Sequence, residues 1–198
     1  MRLDLRFSNR PLGDLWCQAV AVLIFEPPST EKGVLSGLNT KMPGFLAGLL
    51  RNNLLTGKRG ENFLLSTQNM LRADKLLLHG LGPESDFGMD LLREEIAYLA
   101  SSLDKLRIRD LGVHIPVLEG LEPEYGSYLE HSAMDFIGTF HKSHGEDPDY
   151  VLKIIFSVES YPGPIDSVVQ AMRNRFDTIM DLTIVADSKN RQPEEDAE

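Results

Sequence analysis

Residues 91–116, LLREEIAYLASSLDKLRIRDLGVHIP, decide how this chain folds. Leu92, Ile96, Leu99, Leu103 and Leu106 recur at i, i+4, i+7, i+11 and i+14, one stripe of an α-helix. Arg93, Glu94, Glu95, Ser102 and Lys105 lie off that stripe, which predicts a wet outer face. Leu111 to Ile115 then reads as a strand, stopped by Pro116. A helix feeding directly into an apolar strand is the unit of a parallel sheet. The same alternation continues on both sides. Upstream, Leu3, Leu5 and Phe7 alternate with Asp4 and Arg6 as in a half-buried strand. Ala19 to Phe25 is wholly apolar and suits a strand covered on both faces, stopped by Pro27 and Pro28. A loop with Ser29, Thr30 and Gly33 follows, then a helix opened by Pro43 with Leu46, Leu49 and Leu50 on one face. Glu61 to Ser66 and Lys75 to His79 read as strands, the second broken at Gly80-Leu81-Gly82-Pro83. Downstream, a second amphipathic helix carries Leu129, Ala133, Phe136, Ile137 and Phe140. Tyr150 to Val158 is a strand, and Gly163-Pro164 opens a helix with Ile165, Val168, Val169, Met172, Phe176 and Ile179 facing the core. Asp181 to Ala186 is the last strand.

The expected fold is therefore α/β, with three layers. A mixed, mainly parallel sheet carries helices on both faces, and the paired strands near the beginning form an antiparallel edge. One domain is expected over residues 1–186. Residues 187–198 hold no large apolar side chain and several acids, and read as a disordered acidic tail.

Composition narrows the function by exclusion. The chain has 198 residues, with 20 Lys plus Arg against 30 Asp plus Glu, a formal charge of −10. Such a surface repels phosphates, so nucleic acid is not an expected partner. The longest apolar run, Ala19 to Phe25, is too short to cross a membrane. The lone Cys17 excludes an internal disulfide framework and fits a reducing compartment. Met1 to Arg6 lacks the apolar region of a signal peptide, so the chain reads as mature and cytoplasmic.

In a sheet of this class ligands sit outside the carboxyl ends of the strands. The loops that matter are then Glu26 to Met42, Gly80 to Gly88, Val117 to Glu124 and Glu159 to Pro164. Gly80-Leu81-Gly82 stands between a strand and a helix, as phosphate-cradling loops do, but lacks the further glycine of a dinucleotide fingerprint. It reads first as a tight turn. Gly57-Lys58-Arg59-Gly60 leads into a strand, so no helix N-terminus faces an anion there and a basic hairpin turn is expected. Between residues 41 and 75 the bases are Lys41, Arg51, Lys58, Arg59, Arg72 and Lys75 and the acids Glu61 and Asp74, a local +4. A solvated, scattered set is the simpler reading than an anion-binding patch. His141 and His144 read as the last turn of a helix, complementing its dipole, with no metal site implied. His114 and His131 show no sequence partner. His79, at a strand end beside the glycines, is a ligand contact or a packed core histidine. No Ser elbow and no paired carboxylates mark a catalytic site, and no catalytic residue, metal or cofactor is assigned.

Two segments carry a family resemblance. Leu54-Leu55-Thr56-Gly57-Lys58-Arg59-Gly60-Glu61, followed by Lys75-Leu76-Leu77-Leu78-His79-Gly80-Leu81-Gly82, resembles the N-terminal domain of the leucyl aminopeptidase (cytosol aminopeptidase) family. That resemblance implies a macro-domain-like fold. The family's catalytic domain holds two metal ions and carries an Asn-Thr-Asp-Ala-Glu-Gly-Arg signature; nothing like it occurs here, and no catalytic residue is carried over.

The macro-like fold in turn implies a cleft at the strand ends, built here from His79, Gly80, Gly82, Glu119 and Gly120. Glu119, Glu122 and Glu124 follow the strand that would present a diphosphate loop, and like charge there opposes phosphate. Macro domains also carry an Asn-Ala-Ala-Asn segment and a triple-glycine loop, and Glu26 to Gly48 contains neither. The leading expectation is a stand-alone, non-catalytic relative with an assembly or regulatory role, its partner another protein or a second copy. The alternatives are a macro-like module holding a nucleotide or other small anion, and a hydrolase whose site the sequence does not reveal.

Overall fold

The computed structural model describes residues 1–159 and 165–187. Seven strands form one sheet: β1 (Arg2–Ser8), β2 (Ala19–Glu26), β3 (Asn62–Ser66), β4 (Lys75–Pro83), β5 (Asp110–His114), β6 (Val151–Ser157) and β7 (Asp181–Ala186). Five α-helices accompany them: α1 (Gly33–Lys41), α2 (Phe45–Arg51), α3 (Met89–Lys105), α4 (Tyr125–His144) and α5 (Asp166–Phe176). The strand order is β3-β4-β2-β5-β6-β1-β7, and every pairing is parallel except β3–β4.

The apolar pattern explains the layering. Along β2, Ala19, Ala21 and Leu23 enter the core under α3, α4 and α5, while Val20, Val22 and Ile24 enter the one under α1 and α2. A strand central to both cores has no wet face, which is why its sequence does not alternate. On β1, Leu3, Leu5 and Phe7 are buried, but Arg2 and Arg6 on the opposite face are exposed. The helix layer over β2 and β4 therefore does not extend across β1.

Several sequence expectations are corrected. The supposed loop after Pro28 contains α1; its Gly, Ser, Asn and Thr residues hide a helix held by buried Leu35 and Leu38. Pro43 precedes α2 rather than opening its first turn, and Leu50 is only half-buried. Gly80 and Gly82 do not break β4, which continues to Pro83 with one irregularity opposite Ile24 and Phe25. Of the two early strand pairs, only β3–β4 is antiparallel; β1 and β2 are separated by β5 and β6. Leu106 caps α3 and is 47% exposed, and Ile179 lies beyond α5, exposed. Glu95, assigned to the wet face of α3, is buried at 6% exposure. Gly163-Pro164 and residues 188–198 lie outside the described residues. Asp187 accepts hydrogen bonds from Ser8 Oγ at 2.6 Å and the Asn9 N–H at 3.1 Å.

Candidate functional site

Two places concentrate polar chemistry. The first is the β3–β4 edge with the loop before it. Glu61 folds back so that Oε2 accepts the N–H groups of Thr56 (2.9 Å) and Gly57 (2.7 Å), closing residues 56–61 into a clamp. The backbone of that clamp then pairs with the end of β4. Gly60 N–H donates to Gly80 O, Gly80 N–H to Glu61 O, and Gly82 N–H to Gly57 O, all at 2.8–2.9 Å. The amides that a phosphate-cradling loop would aim at its ligand are thus bonded to protein. The glycines are required by proximity. A Cβ on Gly80 would lie 2.0 Å from Lys58 O, and one on Gly57, already at φ 77°, would lie 2.3 Å from Phe25 O.

Charged side chains seal the same region. Arg59 donates from Nε to Glu95 Oε1 at 2.7 Å and reaches Glu94 Oε2 at 2.6 Å. His79, fully buried, sets Nε2 at 2.7 Å from Glu95 Oε2 and Nδ1 at 2.9 Å from Asn62 Oδ1. The carboxylate can only accept, so Nε2 carries a proton. Burial pushes the imidazole pKa below its ordinary value, against the pull of Glu95. Glu95 is the residue that sequence reasoning missed. Glu95 stands three residues after Leu92 and four before Leu99, beside the apolar stripe, but a carboxylate there reads as solvent-facing, and only the arrival of Arg59 and His79 makes its burial tolerable.

The second place is the cleft at the carboxyl ends of the parallel strands. A cavity of about 350 Å³ lies between the β2–α1 connection and the β5–α4 connection, with Ser29, Lys32, Glu84, His114 and Glu119 as its polar lining. An adjoining cavity of about 490 Å³ is bordered by Lys41, His114, Ser157 and Glu159. His114 ends β5 and borders both; desolvation holds its pKa at about 4, although the Ser157 backbone accepts a hydrogen bond from it. A histidine inside a strand carries no sequence mark of this position. Lys41 is bonded to Asp14 at 2.7 Å.

The predicted cleft residues thus fall into two groups. His79, Gly80 and Gly82 pack with the Gly57–Glu61 clamp, whereas Glu119 borders the strand-end cavity and Gly120, exposed, follows it. Glu122 and Glu124 sit on the 3-10 turn before α4. The basic segment 41–75 is dispersed: Lys41 pairs with Asp14, Arg59 with Glu94 and Glu95, and Arg72 lies 4.8 Å from the centroid of the Trp16 ring. His144 closes α4 by a 2.6 Å bond to Asp104 and stacks on Tyr150. Burial pushes the Cys17 thiol up to about 12, so it is not a ready nucleophile. Among the described residues, no three His, Cys, Asp or Glu side chains converge as a metal site, and no helix is long and apolar enough to cross a membrane.

Comparison with known proteins gives this geometry a context. Residues 21–136 match the cytosol aminopeptidase family, N-terminal domain. A probable cytosol aminopeptidase of Cyanothece sp. is 28% identical over 115 residues, 58% of this chain and 23% of that protein. One of Thermosynechococcus vestitus is 32% identical over 104 residues, 52% of this chain and 20% of that protein. The matched segment is thus about a quarter or less of those relatives' length. Among solved structures, a tomato leucine aminopeptidase mutant superposes with a TM-score of 0.65 at 13% identity, covering 87% of this chain and 36% of that one. A Trypanosoma brucei macrodomain in complex with ADP-ribose gives 0.56 at 17% identity, covering 83% and 68%. The macrodomain of Thermus aquaticus DarG gives 0.53 at 14%, covering 77% and 97%. At these identities the structural likeness establishes the fold, a macro-like α/β domain.

Proposed function

Because the chain belongs to the cytosol aminopeptidase family by its N-terminal domain, we propose that it acts by association, in an assembly or regulatory role, and not by catalysis. One observation carries this reading. In the motif that marks the family, Gly57 to Glu61 with His79 to Gly82, Glu61 is spent on backbone amides, Arg59 and His79 on Glu95 of α3, and the amides of Gly60, Gly80 and Gly82 on carbonyls. A catalytic or metal-binding role needs groups with unspent bonding capacity. The purified chain, supplied with divalent metals, is expected to release no leucine from leucine amide. Release that survives further purification and stops with a chelator overturns the reading.

The strand-end cleft supports a second reading, a module for a small anionic ligand. It rests on Lys32 and His114 bordering a cavity at the position where ligands of such sheets sit. Against a diphosphate stand the carboxylates of Glu84 and Glu119 in the same lining. Calorimetry with ADP-ribose at micromolar protein is expected to give no isotherm. A clear one-to-one isotherm puts the ligand-binding reading first.

A further inference from the structure

The free edge of the sheet at β3 is built for pairing. Edge strands are ordinarily blunted by Lys, Pro or a bulge. β3 reads Asn62-Phe63-Leu64-Leu65-Ser66, with no charge and no proline, and its register with β4 is unbroken. The direction of its backbone groups follows from the bonds at its two ends. Thr67 N–H donates to Asp74 O, and Gly80 N–H donates to Glu61 O; both pairs continue the β3–β4 register. Bonded and non-bonded pairs alternate in an antiparallel ladder, so Phe63 and Leu65 bond to β4. Asn62, Leu64 and Ser66 then turn their N–H and C=O groups outward. All three are exposed, and Leu64 is 43% exposed despite its size.

We infer that this edge pairs antiparallel with β3 of a second copy of the chain, on a two-fold axis beside Leu64. The strand is self-complementary about that residue. Asn62 meets Ser66 of the second copy, Phe63 meets Leu65, and Leu64 meets Leu64. Polar faces polar and apolar faces apolar, as a two-fold interface requires. In that register the pairs Leu64–Leu64 and Asn62–Ser66 are the hydrogen-bonded ones, so every outward N–H and C=O of the strand finds a partner. The neutrality of β3 brings two chains of charge −10 together with no like charges opposed across the ladder. The opposite edge fails this test: self-pairing of β7 about Ile184 sets Asp181 against Asp187. The inference deepens the associative reading above by naming the partner and the surface.

Sedimentation velocity of the full chain, from low micromolar to sub-millimolar concentration, is the direct measurement. The wild type is expected to shift from monomer toward dimer. Association through a short strand is weak, because the contact is small. Leu64→Lys opposes two ammonium groups at the axis and should weaken association about tenfold or more. Leu64→Glu should do the same. Mixing the two variants should restore a dimer, because a Lys–Glu pair then meets on the axis; this recovery also shows that both variants fold. A wild type that remains monomeric throughout overturns the inference. A dimer untouched by Leu64→Lys, or a mixture that stays monomeric, removes β3 as the interface while leaving the associative reading intact.

Discussion

Leu99→Ala lowers the unfolding free energy of this domain by about 2–5 kcal/mol in urea titration. The side chain is fully buried on α3, between Ile96 and Leu103, which are also inaccessible, and it faces the core shared with α4 and the sheet. Truncation removes the transfer energy of the isobutyl group and leaves a cavity that the surrounding Leu, Ile and Phe side chains refill only in part. Leu106→Ala provides the internal comparison. It continues the same sequence stripe but is 47% exposed, so its cost should stay within about 0.5 kcal/mol, as for surface positions. Equal losses at the two positions would contradict the helix end at Lys105.

Gly80→Ala costs about 3 kcal/mol, the upper end of overpacking penalties, measured in the same way. The new methyl would lie 2.0 Å from Lys58 O and 2.7 Å from Gly57 C, both backbone atoms that cannot rotate aside. Relief requires the 56–61 clamp to lift off β4, which breaks the bonds between Gly60, Glu61 and Gly80. Gly60→Ala separates this effect from simple backbone strain. Gly60 has φ 76° with open space around a would-be Cβ, so only the left-handed conformation is penalised, by about 1–2 kcal/mol. A Gly80 variant milder than the Gly60 variant would show that the clamp is loose.

These two positions also show how differently a core and a site are written. Spacing places Leu92, Ile96, Leu99 and Leu103 on the core face, and all four are inaccessible. Their burial depends on the period of a helix, which is a local property. The two-sided burial of β2 was legible for a similar reason, since an unbroken apolar run has no polar residue to spare for water. Helix α1 was not legible, because Gly33, Ser36, Gly37, Asn39 and Thr40 favour turns by propensity, and the packing of Leu35 and Leu38 outweighs them.

The α/β class, the strands, most of the helices and the family are legible along the chain. Each rests on periodicity or on a contiguous motif. Three other matters depend on contacts between distant segments. Gly57 and Gly80 serve close backbone packing, because chain segments about twenty or more residues apart approach within hydrogen-bond distance there. Glu95 is buried, because Arg59 and His79 arrive from other elements to bond it. His114 stands between two cavities, because the β5 end lies among connections from four parts of the chain. In all three the deciding contact joins residues distant in sequence, and no pattern within a single element encodes which partner the fold will bring.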